Sequence, residues 1–372
     1  MKQFIKKALW LKHHHTAHHG YHKLYERIIK LHSEYALPVE GEDEWLAKWR
    51  QIDPKIKPTA YRIFSHYVGH DPHILPLETC LAYFEPVLNP IEYRPYYSDK
   101  NMFDRIFGSE HTLGALLRQI NGVFYTPDYQ PVALNNTTLN QMLEGNEAII
   151  IKPSVDGESG RGVRKFTHDS DGIWTDSDNE ALNLNYLNTH YRGNIVVQRC
   201  FRQSDYLAQF NPTSVNTLRI FVLRRPTTGE CVIPSVVLRI GGKGAIVDNA
   251  HGGGRIVGVD ADGTLHHEAG DFLGNRYHEH NGIDFQTETY RIPNFYTILD
   301  FAKYMGNQVL HHHILAFDIC LDNKNNPYLM EVNVHGFGGW IFQFCGQPTF
   351  GPWTDEIIEW CKHRHPRKLI MI

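Results

Sequence analysis

The stretch of this 372-residue chain that decides its fold reads Ile149-Ile150-Ile151-Lys152-Pro153-Ser154-Val155-Asp156-Gly157-Glu158-Ser159-Gly160-Arg161-Gly162-Val163-Arg164-Lys165-Phe166. It begins with an apolar β-branched run, which is typical of a buried strand, and Pro153 cannot extend the hydrogen-bonded ladder. A glycine-rich loop follows before an extended pattern resumes. Backbone N–H groups can approach a ligand closely where no Cβ intervenes, and Lys152 supplies a positive charge. The stretch therefore predicts a lid that closes over phosphates.

Two other phosphate-binding patterns do not fit this stretch. The Walker pattern places its lysine after the glycines, whereas Lys152 precedes them. The dinucleotide fingerprint needs a helix after the glycines, and residues 163–166 do not have a helical pattern. A glycine-rich hairpin without a ligand remains the alternative interpretation.

Composition excludes several classes of protein. The hydrophobic share of 42% and the charged share of 21% are those of an ordinary globular protein, and a formal net charge of −4 gives no electrostatic reason to bind nucleic acid. The six cysteines are scattered and form no CxxC pair, which predicts free thiols in a reducing cytoplasm. We expect no signal peptide and no membrane span.

The N-terminal part of the chain is predicted to be helical. Residues 1–35 read as one or two helices with a basic, partly amphipathic start, and peripheral contact with an anionic membrane is one interpretation of that start. Packing on the protein body is the other interpretation. The 24 histidines fall in clusters such as His13-His14-His15. Adjacent histidines on a helix point in different directions, so we expect these clusters to be mostly solvated rather than a dedicated metal site.

Lys100 is a candidate ligand of an anion. Asp99 is a reasonable N-cap and Gly108 a reasonable end for a short helix over residues 100–107. A cation in the first turn is unfavourable beside the helix dipole, and a bound anion would offset that cost. The alternative is an ordinary surface lysine.

Arg219 is a second candidate ligand of an anion. It lies in the middle of an apolar run that begins at Thr217 and reads as a strand, shortly after Asn216. A charge at such a position is costly unless it is paired. Arg219 is therefore predicted either to bind an anion or to form a structural salt bridge.

The strongest chemical signal is a hairpin formed by residues 314–321 and 327–334. Both strands carry a carboxylate inside an apolar run, Asp318 in the first and Glu331 in the second. Glu331 and Asn333 are two residues apart, so their side chains project from the same face. A buried acidic pair beside an amide oxygen requires a cation, and hard oxygen ligands suit Mg²⁺.

The order of these features resembles the ATP-grasp superfamily, and most closely its sugar-transfer-associated branch. The resemblance covers about residues 95–360. It depends on Asp99-Lys100, on Ile150-Ile151-Lys152-Pro153 with its glycine lid, on the hinge Val196-Val197-Gln198-Arg199-Cys200-Phe201, on residues 211–220, on the glycine segment 247–260, and on Asp318 with Glu331-Val332-Asn333. Many superfamily members carry a glutamate near the hinge, where this chain has Gln198.

The resemblance implies a role for each matching residue. The residues that would bind ATP are Lys100, Lys152, Gly157, Ser159, Gly160, Gly162, Gln198, Arg199, Cys200, Phe201 and Asn216. Asp318, Glu331 and Asn333 would hold Mg²⁺. Arg219 and Lys152 would be catalytic, because they would neutralise the charge that builds on the transferred phosphoryl group.

The resemblance also implies the fold, which is an α+β ATP-grasp fold. Two α+β subdomains would clamp ATP between antiparallel sheets, over residues 96–195 and 196–372, after an α-rich region over residues 1–95. Residues 264–290 are polar and histidine-rich, and we expect them to be a loop.

The activity implied is that of a carboxylate–amine ligase that works through an acyl phosphate. The partners would be a small carboxylate and an amine or sugar, and the product a glycan precursor of surface polysaccharide. The first alternative is a small-molecule or sugar kinase on the same fold, although no isolated base is evident to activate a hydroxyl. The second alternative is a nucleotide-binding module without turnover.

Overall fold

The N-terminal part of the chain is helical, as predicted. The computed structural model describes residues 2–155, 160–191, 193–249 and 252–364. Its first element is a single helix, α1 (Lys2–Leu31), where the sequence predicts one or two. The helices that follow are α2 (Glu42–Trp49), α3 (Thr59–Val68), α4 (Leu77–Thr79), which continues through a π-helical turn (Cys80–Phe84) into α5 (Glu85–Leu88), and α6 (Arg94–Ser98). Within the described residues, no helix combines the length and the apolar character that crossing a membrane requires.

The next elements build a six-stranded antiparallel sheet, the first sheet, in the spatial order β2-β1-β6-β3-β4-β5. A 3₁₀ turn (Lys100–Met102) runs into α7 (Phe103–Phe107), and the sheet follows it. In chain order the elements are β1 (Leu117–Ile120), β2 (Val123–Tyr125), α8 (Asn136–Leu143), β3 (Ala148–Pro153), β4 (Arg164–His168), β5 (Trp174–Thr175), α9 (Leu184–His190) and β6 (Ile195–Arg199). The predicted strand before the lid is β3, and the strand that resumes after the lid is β4, its neighbour in the sheet.

The predicted boundary between the two subdomains falls inside a strand. β6 pairs with both β1 and β3, for example through Val197 opposite Leu117 and opposite Ile151. A division between residues 195 and 196 would cut this strand away from its own sheet. β6, up to Arg199, therefore belongs to the first sheet.

The rest of the chain builds a seven-stranded antiparallel sheet, the second sheet, in the order β11-β10-β9-β8-β7-β14-β15. The elements of this part of the chain are, in order, α10 (Asp205–Ala208), β7 (Thr217–Arg224), β8 (Cys231–Ile240), β9 (Arg255–Val259), β10 (Leu265–Gly270), β11 (Arg276–Tyr277), β12 (Glu279–His280), β13 (Ile283–Asp284), α11 (Phe295–Gln308), β14 (Ile314–Leu321), β15 (Pro327–Asn333), α12 (Gly339–Phe344) and α13 (Thr354–Lys362). Of these strands, β12 and β13 form a separate two-stranded sheet. The expectation of a loop over residues 264–290 is wrong, because four short strands lie there.

Both faces of the second sheet are covered, which explains why its strands have continuous apolar runs rather than alternating ones. Along β7, Leu218, Ile220 and Val222 face a core that includes α11, whereas Phe221 and Leu223 face the opposite core. That opposite core combines residues of α1–α5 with residues of α12 and α13. Within the part of the chain that the structure describes, the N-terminal helices therefore share their core with the second sheet.

Candidate active site

Lys100 lies against the end of β3. The Asp99 side chain accepts a hydrogen bond from the Asn101 backbone N–H at 2.9 Å, so the predicted N-cap is confirmed. The Lys100 backbone N–H donates to the Ser154 carbonyl at 2.9 Å, which fastens this turn to the residue that follows β3. The Lys100 ammonium then reaches across to the second sheet and donates to Glu331 Oε1 at 2.7 Å. Lys100 is thus a paired, mostly buried lysine rather than a surface lysine.

Lys152 lies at the end of β3, close to the same carboxylate. Burial of its ammonium and, to a smaller extent, the nearby charge of Lys100 lower the pKa of Lys152 to about 8, while Glu331 acts in the opposite direction. The two lysines therefore form a cationic pair in surroundings that disfavour the charged form of Lys152. An anion placed between them would relieve that cost.

Arg219 and Asp318 face each other across neighbouring strands. They are directly opposite in the β7–β14 register. The guanidinium donates from Nε to Asp318 Oδ1 and from Nη2 to Asp318 Oδ2, both at 2.7 Å, which is the bidentate geometry of a strong ion pair. The structural salt bridge that the sequence leaves open for Arg219 is therefore present. A catalytic role for Arg219 stays a prediction.

A second arginine, Arg239 on β8, donates from Nη1 to Asp318 Oδ2 at 2.8 Å. Burial alone would raise the pKa of Asp318, but Arg219 and Arg239 outweigh it and hold that pKa below its usual range. Arg239 Nη2 also lies 3.2 Å from Asp248 Oδ1. The Thr217 hydroxyl donates to the other oxygen of Asp248. Burial raises the pKa of this carboxyl, with Arg239 opposing.

Sequence reasoning missed Arg239 and Asp248. The sequence does contain a signal for Arg239, because this residue lies inside the apolar strand β8. A charge in such a strand needs a partner, and the same argument was applied to Arg219. Asp248 carries no comparable signal, since it lies in a glycine-rich segment in which any polar residue is unremarkable.

The residues predicted to hold Mg²⁺ are brought together by the hairpin of β14 and β15. Asp318 is directly opposite Glu331, and Asn333 lies opposite Ala316 on the same face. Asn333 Nδ2 donates to the Ala316 carbonyl at 3.3 Å. A carboxylate oxygen has two lone pairs, so the contacts with Arg219, Arg239 and Lys100 still leave acceptor capacity on Asp318 and Glu331. This set of oxygen donors fits Mg²⁺.

The assembled site contains more cationic than anionic side chains. The cations are Lys100, Lys152, Arg219 and Arg239, and the carboxylates are Asp248, Asp318 and Glu331. Each of these carboxylates already has a cationic contact, and Lys152 has a like charge as a neighbour. Such an arrangement suits a polyanionic ligand that arrives with its own metal cation.

Only the later part of the predicted lid belongs to the described residues. Gly157 and Ser159 lie outside them. Gly160 and Gly162 have φ of +74° and +75°, a conformation that favours glycine. A Cβ on Gly160 would lie 3.2 Å from Val247, so this end of the lid touches the glycine segment of the second sheet. The described end of the lid therefore lies against the segment between β8 and β9.

The predicted adenine hinge leaves the first sheet at β6. The Gln198 side chain is buried and that of Arg199 exposed. The Cys200 backbone N–H donates to the Ala148 carbonyl at 3.0 Å, and the Phe201 ring lies 5.7 Å from the Tyr328 ring. These contacts fix the course of the hinge, and adenine binding by these four residues stays a prediction.

The side-chain amide of Asn216 forms hydrogen bonds within the protein. Its Nδ2 donates to the carbonyls of Leu207 and Asn211 at 2.7 and 2.9 Å, and its Oδ1 accepts from the Gly241 N–H at 3.2 Å. The Ser214 hydroxyl donates to the same oxygen at 3.3 Å. The structure therefore gives Asn216 a bracing role, and its predicted contact with the cofactor is untested.

A separate cavity lies away from these residues. It has a volume of about 280 Å³, is lined by β10 with Tyr67, Arg276 and Phe344, and includes none of the predicted site residues.

Comparison with known proteins gives a family and distant structural neighbours. The model of the family described as sugar-transfer associated ATP-grasp matches residues 81–357. No curated protein sequence matches the chain significantly.

Similar solved structures include biotin carboxylase from Campylobacter jejuni, with 10% identity, a TM-score of 0.41, and coverage of 74% of this chain and 48% of that one. D-cycloserine synthetase DcsG has 11% identity, a TM-score of 0.41 and coverage of 74% and 73%. D-alanine–D-alanine ligase from Bacillus anthracis has 13% identity, a TM-score of 0.38 and coverage of 73% and 69%. The chain spans about half the length of the first of these structures.

Proposed function

The chain belongs to the sugar-transfer associated ATP-grasp family, and from that membership we propose that it is a ligase which joins a carboxylate to an amine at the expense of ATP. The observation that supports this most directly is the convergence of Lys100, Lys152, Arg219, Asp318 and Glu331 from distant parts of the chain into one cluster between the sheets.

The two lysines hold the phosphates of ATP. Lys100 and Lys152 project from separate elements toward the same point, so a polyphosphate between them would separate two like charges and replace the contact of Lys100 with Glu331. Freed from Lys100, Glu331 would hold Mg²⁺ together with Asp318 and Asn333. The bound Mg²⁺ would neutralise phosphate charge and make ADP a better leaving group.

Arg219 and Arg239 stabilise negative charge at the reacting end of the nucleotide. Both guanidinium groups are fixed by Asp318, so they are preorganised and need no rearrangement when charge develops on the transferred phosphoryl group. In the proposed reaction a substrate carboxylate oxygen attacks the γ-phosphorus and ADP leaves. The amine nitrogen then attacks the acyl carbon, phosphate leaves, and the amine releases a proton.

The family description supports a glycan precursor as one of the substrates, in surface-polysaccharide biosynthesis. The carboxylate partner is an organic acid or an amino acid. All six cysteines are free, which supports a cytoplasmic location.

An ADP-release screen tests the proposal. Amino acids and other carboxylates are combined with amines and amino sugars, and the products are identified by mass. ADP release that requires both a carboxylate and an amine supports the ligase. Release with an alcohol alone, and phosphate retained on the product, would establish a kinase, whereas ATP binding without ADP release would establish a binding module.

A conservative variant tests the role of Glu331 in ADP release. Glu331→Gln removes one charge from a partly exposed side chain, and we expect ADP release to fall about 100-fold or more. Glu279→Gln, on the short strand β12, is the matched control and should leave the rate unchanged.

A further inference from the structure

A cluster of possible metal ligands lies far from the nucleotide site along the chain, where α1 packs against the segment that follows α2. His14 and His18 are four residues apart on α1, so their rings lie one above the other, with ring centroids 4.1 Å apart. Both face Asp53, whose Oδ2 is 3.0 Å from His18 Nε2 and 4.0 Å from His14 Nε2. Among the described residues, these three form the one group of His, Cys, Asp and Glu whose ligand atoms all lie within 4.8 Å of one another.

Asp53 is fixed in place as an oxygen donor. Its side chain is only 1% exposed. The Lys55 backbone N–H donates to Oδ1 at 3.2 Å, and the Thr79 hydroxyl donates to Oδ2 at 3.3 Å. These two contacts leave a lone pair of Oδ2 directed toward the histidines. Hydrogen bonds of this kind generally orient the ligands of a metal ion.

The two imidazoles are held as well. The rings of Trp10 and Tyr83 pack on His14 at 5.2 and 5.5 Å. His18 Nε2 is buried and lies 3.0 Å from Asp53 Oδ2, in a contact that is not aligned as a well-formed hydrogen bond. A buried nitrogen this close to a carboxylate oxygen without good hydrogen-bond alignment is an arrangement expected of two ligands that share a cation.

A second buried group nearby also lacks a partner. Glu78 precedes Thr79 and is 1% exposed, and its Oε1 has no hydrogen bond to any described residue, while its Oε2 accepts from the Tyr25 hydroxyl at 2.7 Å. Near the cluster there is thus a buried carboxylate oxygen that accepts no hydrogen bond from any described residue.

We propose that His14, His18 and Asp53 bind a zinc ion. Zinc is bound by His nitrogen and carboxylate oxygen at about 2.0–2.2 Å, and tetrahedral ligands at that distance lie about 3.4 Å apart. The separations of 3.0 and 4.0 Å measured from Asp53 Oδ2 bracket that value. A water molecule completes the tetrahedron. The ion fastens α1 to the segment between α2 and α3.

This arrangement differs from the one that the sequence pattern excludes. Adjacent histidines such as His13-His14-His15 do not chelate together, but His14 and His18 share a helix face and meet a carboxylate from another segment. The expectation that the histidines are mostly solvated holds for His15 and His19, which are exposed. Their ring centroids are 5.9 Å apart, and they make a matched control on the same helix.

The test uses the full chain, stripped of metal with a chelator, and Zn²⁺ alone as the ligand. Zinc affinity is measured by competition with a chromophoric chelator, and Co²⁺ absorption reports the geometry of the site. The wild type should bind one equivalent, and bound Co²⁺ should show the intense visible bands of a tetrahedral site. His18→Gln should bind zinc at least about tenfold more weakly, whereas His15→Gln should bind it as the wild type does.

Two results would overturn the proposal. Equal losses in His18→Gln and His15→Gln would mean that zinc binds the histidine-rich surface generally. A wild-type Co²⁺ spectrum typical of an octahedral aquo ion would mean that these three residues do not hold the metal in a tetrahedral site, and this result needs no variant, so the test stands even if His18→Gln does not fold. Zinc should also raise the thermal midpoint of the wild type and of His15→Gln but not that of His14→Gln, which retains His18.

Discussion

At the scale of single residues, the site depends on a carboxylate that holds two arginines. Asp318 is buried and accepts from both Arg219 and Arg239. Asp318→Asn would leave Arg219 buried without its anion and Arg239 with Asp248 alone, and we expect the free energy of unfolding to fall by about 3–5 kcal/mol. Urea denaturation measures the loss. A change below about 1 kcal/mol would contradict the view that this carboxylate stabilises the second sheet as well as the site.

The low pKa of Lys152 predicts how ATP affinity depends on pH. With a pKa of about 8, the ammonium is charged below pH 8 and loses its proton as the pH rises through that value. A bound phosphate favours the charged form, so affinity is full below pH 8 and declines above it. Between pH 7 and pH 9 we expect the affinity for a non-hydrolysable ATP analogue to fall about tenfold.

Calorimetry in two buffers with different heats of ionisation checks this dependence, because binding above pH 8 should take up a proton. Lys152→Arg keeps its charge at every pH used and should give a nearly flat affinity profile. A flat profile in the wild type would contradict the assigned role of Lys152.

Three residues of the site were predictable because each is a charged residue within an apolar strand. Asp318 and Glu331 are acids within apolar strands, and Arg219 is a charge within another. What the sequence could not reveal is which charges pair. The contacts of Asp318 with Arg219 and Arg239 depend on strand register and side-chain reach across neighbouring strands, and one sequence does not contain that information.

At the scale of elements, the turn braced by Asn216 is expected to matter for stability. The amide makes four hydrogen bonds that tie the start of β7 to Leu207, Asn211, Ser214 and Gly241. Asn216→Ala would leave buried carbonyl and N–H groups unpaired, and we expect a loss of about 2–4 kcal/mol in the free energy of unfolding.

Denaturation and ATP affinity should be measured together on this variant. If Asn216→Ala changes ATP affinity strongly while stability stays constant, Asn216 contacts the cofactor and the bracing role is wrong. The matched control is Asn188 on α9, whose side chain is exposed. Asn188→Ala leaves no buried group unpaired, so it should change neither the free energy of unfolding nor the affinity for ATP.

Elements with a strong apolar pattern were predictable, and weakly patterned ones were not. In the predicted hairpin, β14 has the predicted bounds and β15 ends one residue earlier than predicted. Three of the four strands inside residues 264–290 escaped prediction because β11, β12 and β13 are each two residues long. A two-residue strand is defined by its neighbour rather than by its own sequence.

At the scale of the whole molecule, the N-terminal helices and the second sheet share a core. Phe64 on α3 packs on Phe344 of α12, with ring centroids 5.0 Å apart, and Phe84 packs on Phe350. An α-rich region over residues 1–95 was predicted, but its sequence does not reveal which face of a distant sheet the helices cover. The helical content was therefore predictable, whereas this packing was not.

Deleting residues 1–95 should consequently remove helices that pack on one face of the second sheet, rather than a separate domain. We expect the remaining chain to lose cooperative unfolding and to bind hydrophobic dyes, because Phe344 and Phe350 would lose the rings of Phe64 and Phe84 that pack on them. Deleting only residues 1–11, where Ile5, Leu9 and Leu11 are already exposed, is the matched control and should leave unfolding cooperative. Cooperative unfolding of the larger deletion would contradict the shared core.

The central claim, that the cluster between the two sheets activates a carboxylate as an acyl phosphate, is tested most directly by following oxygen. The carboxylate substrate identified by the ADP-release screen is labelled with ¹⁸O and turned over with ATP and the amine. An acyl phosphate predicts that one ¹⁸O atom passes from the carboxylate to the inorganic phosphate released. Phosphate without ¹⁸O, with all the label retained in the product and its unreacted precursor, would contradict the claim.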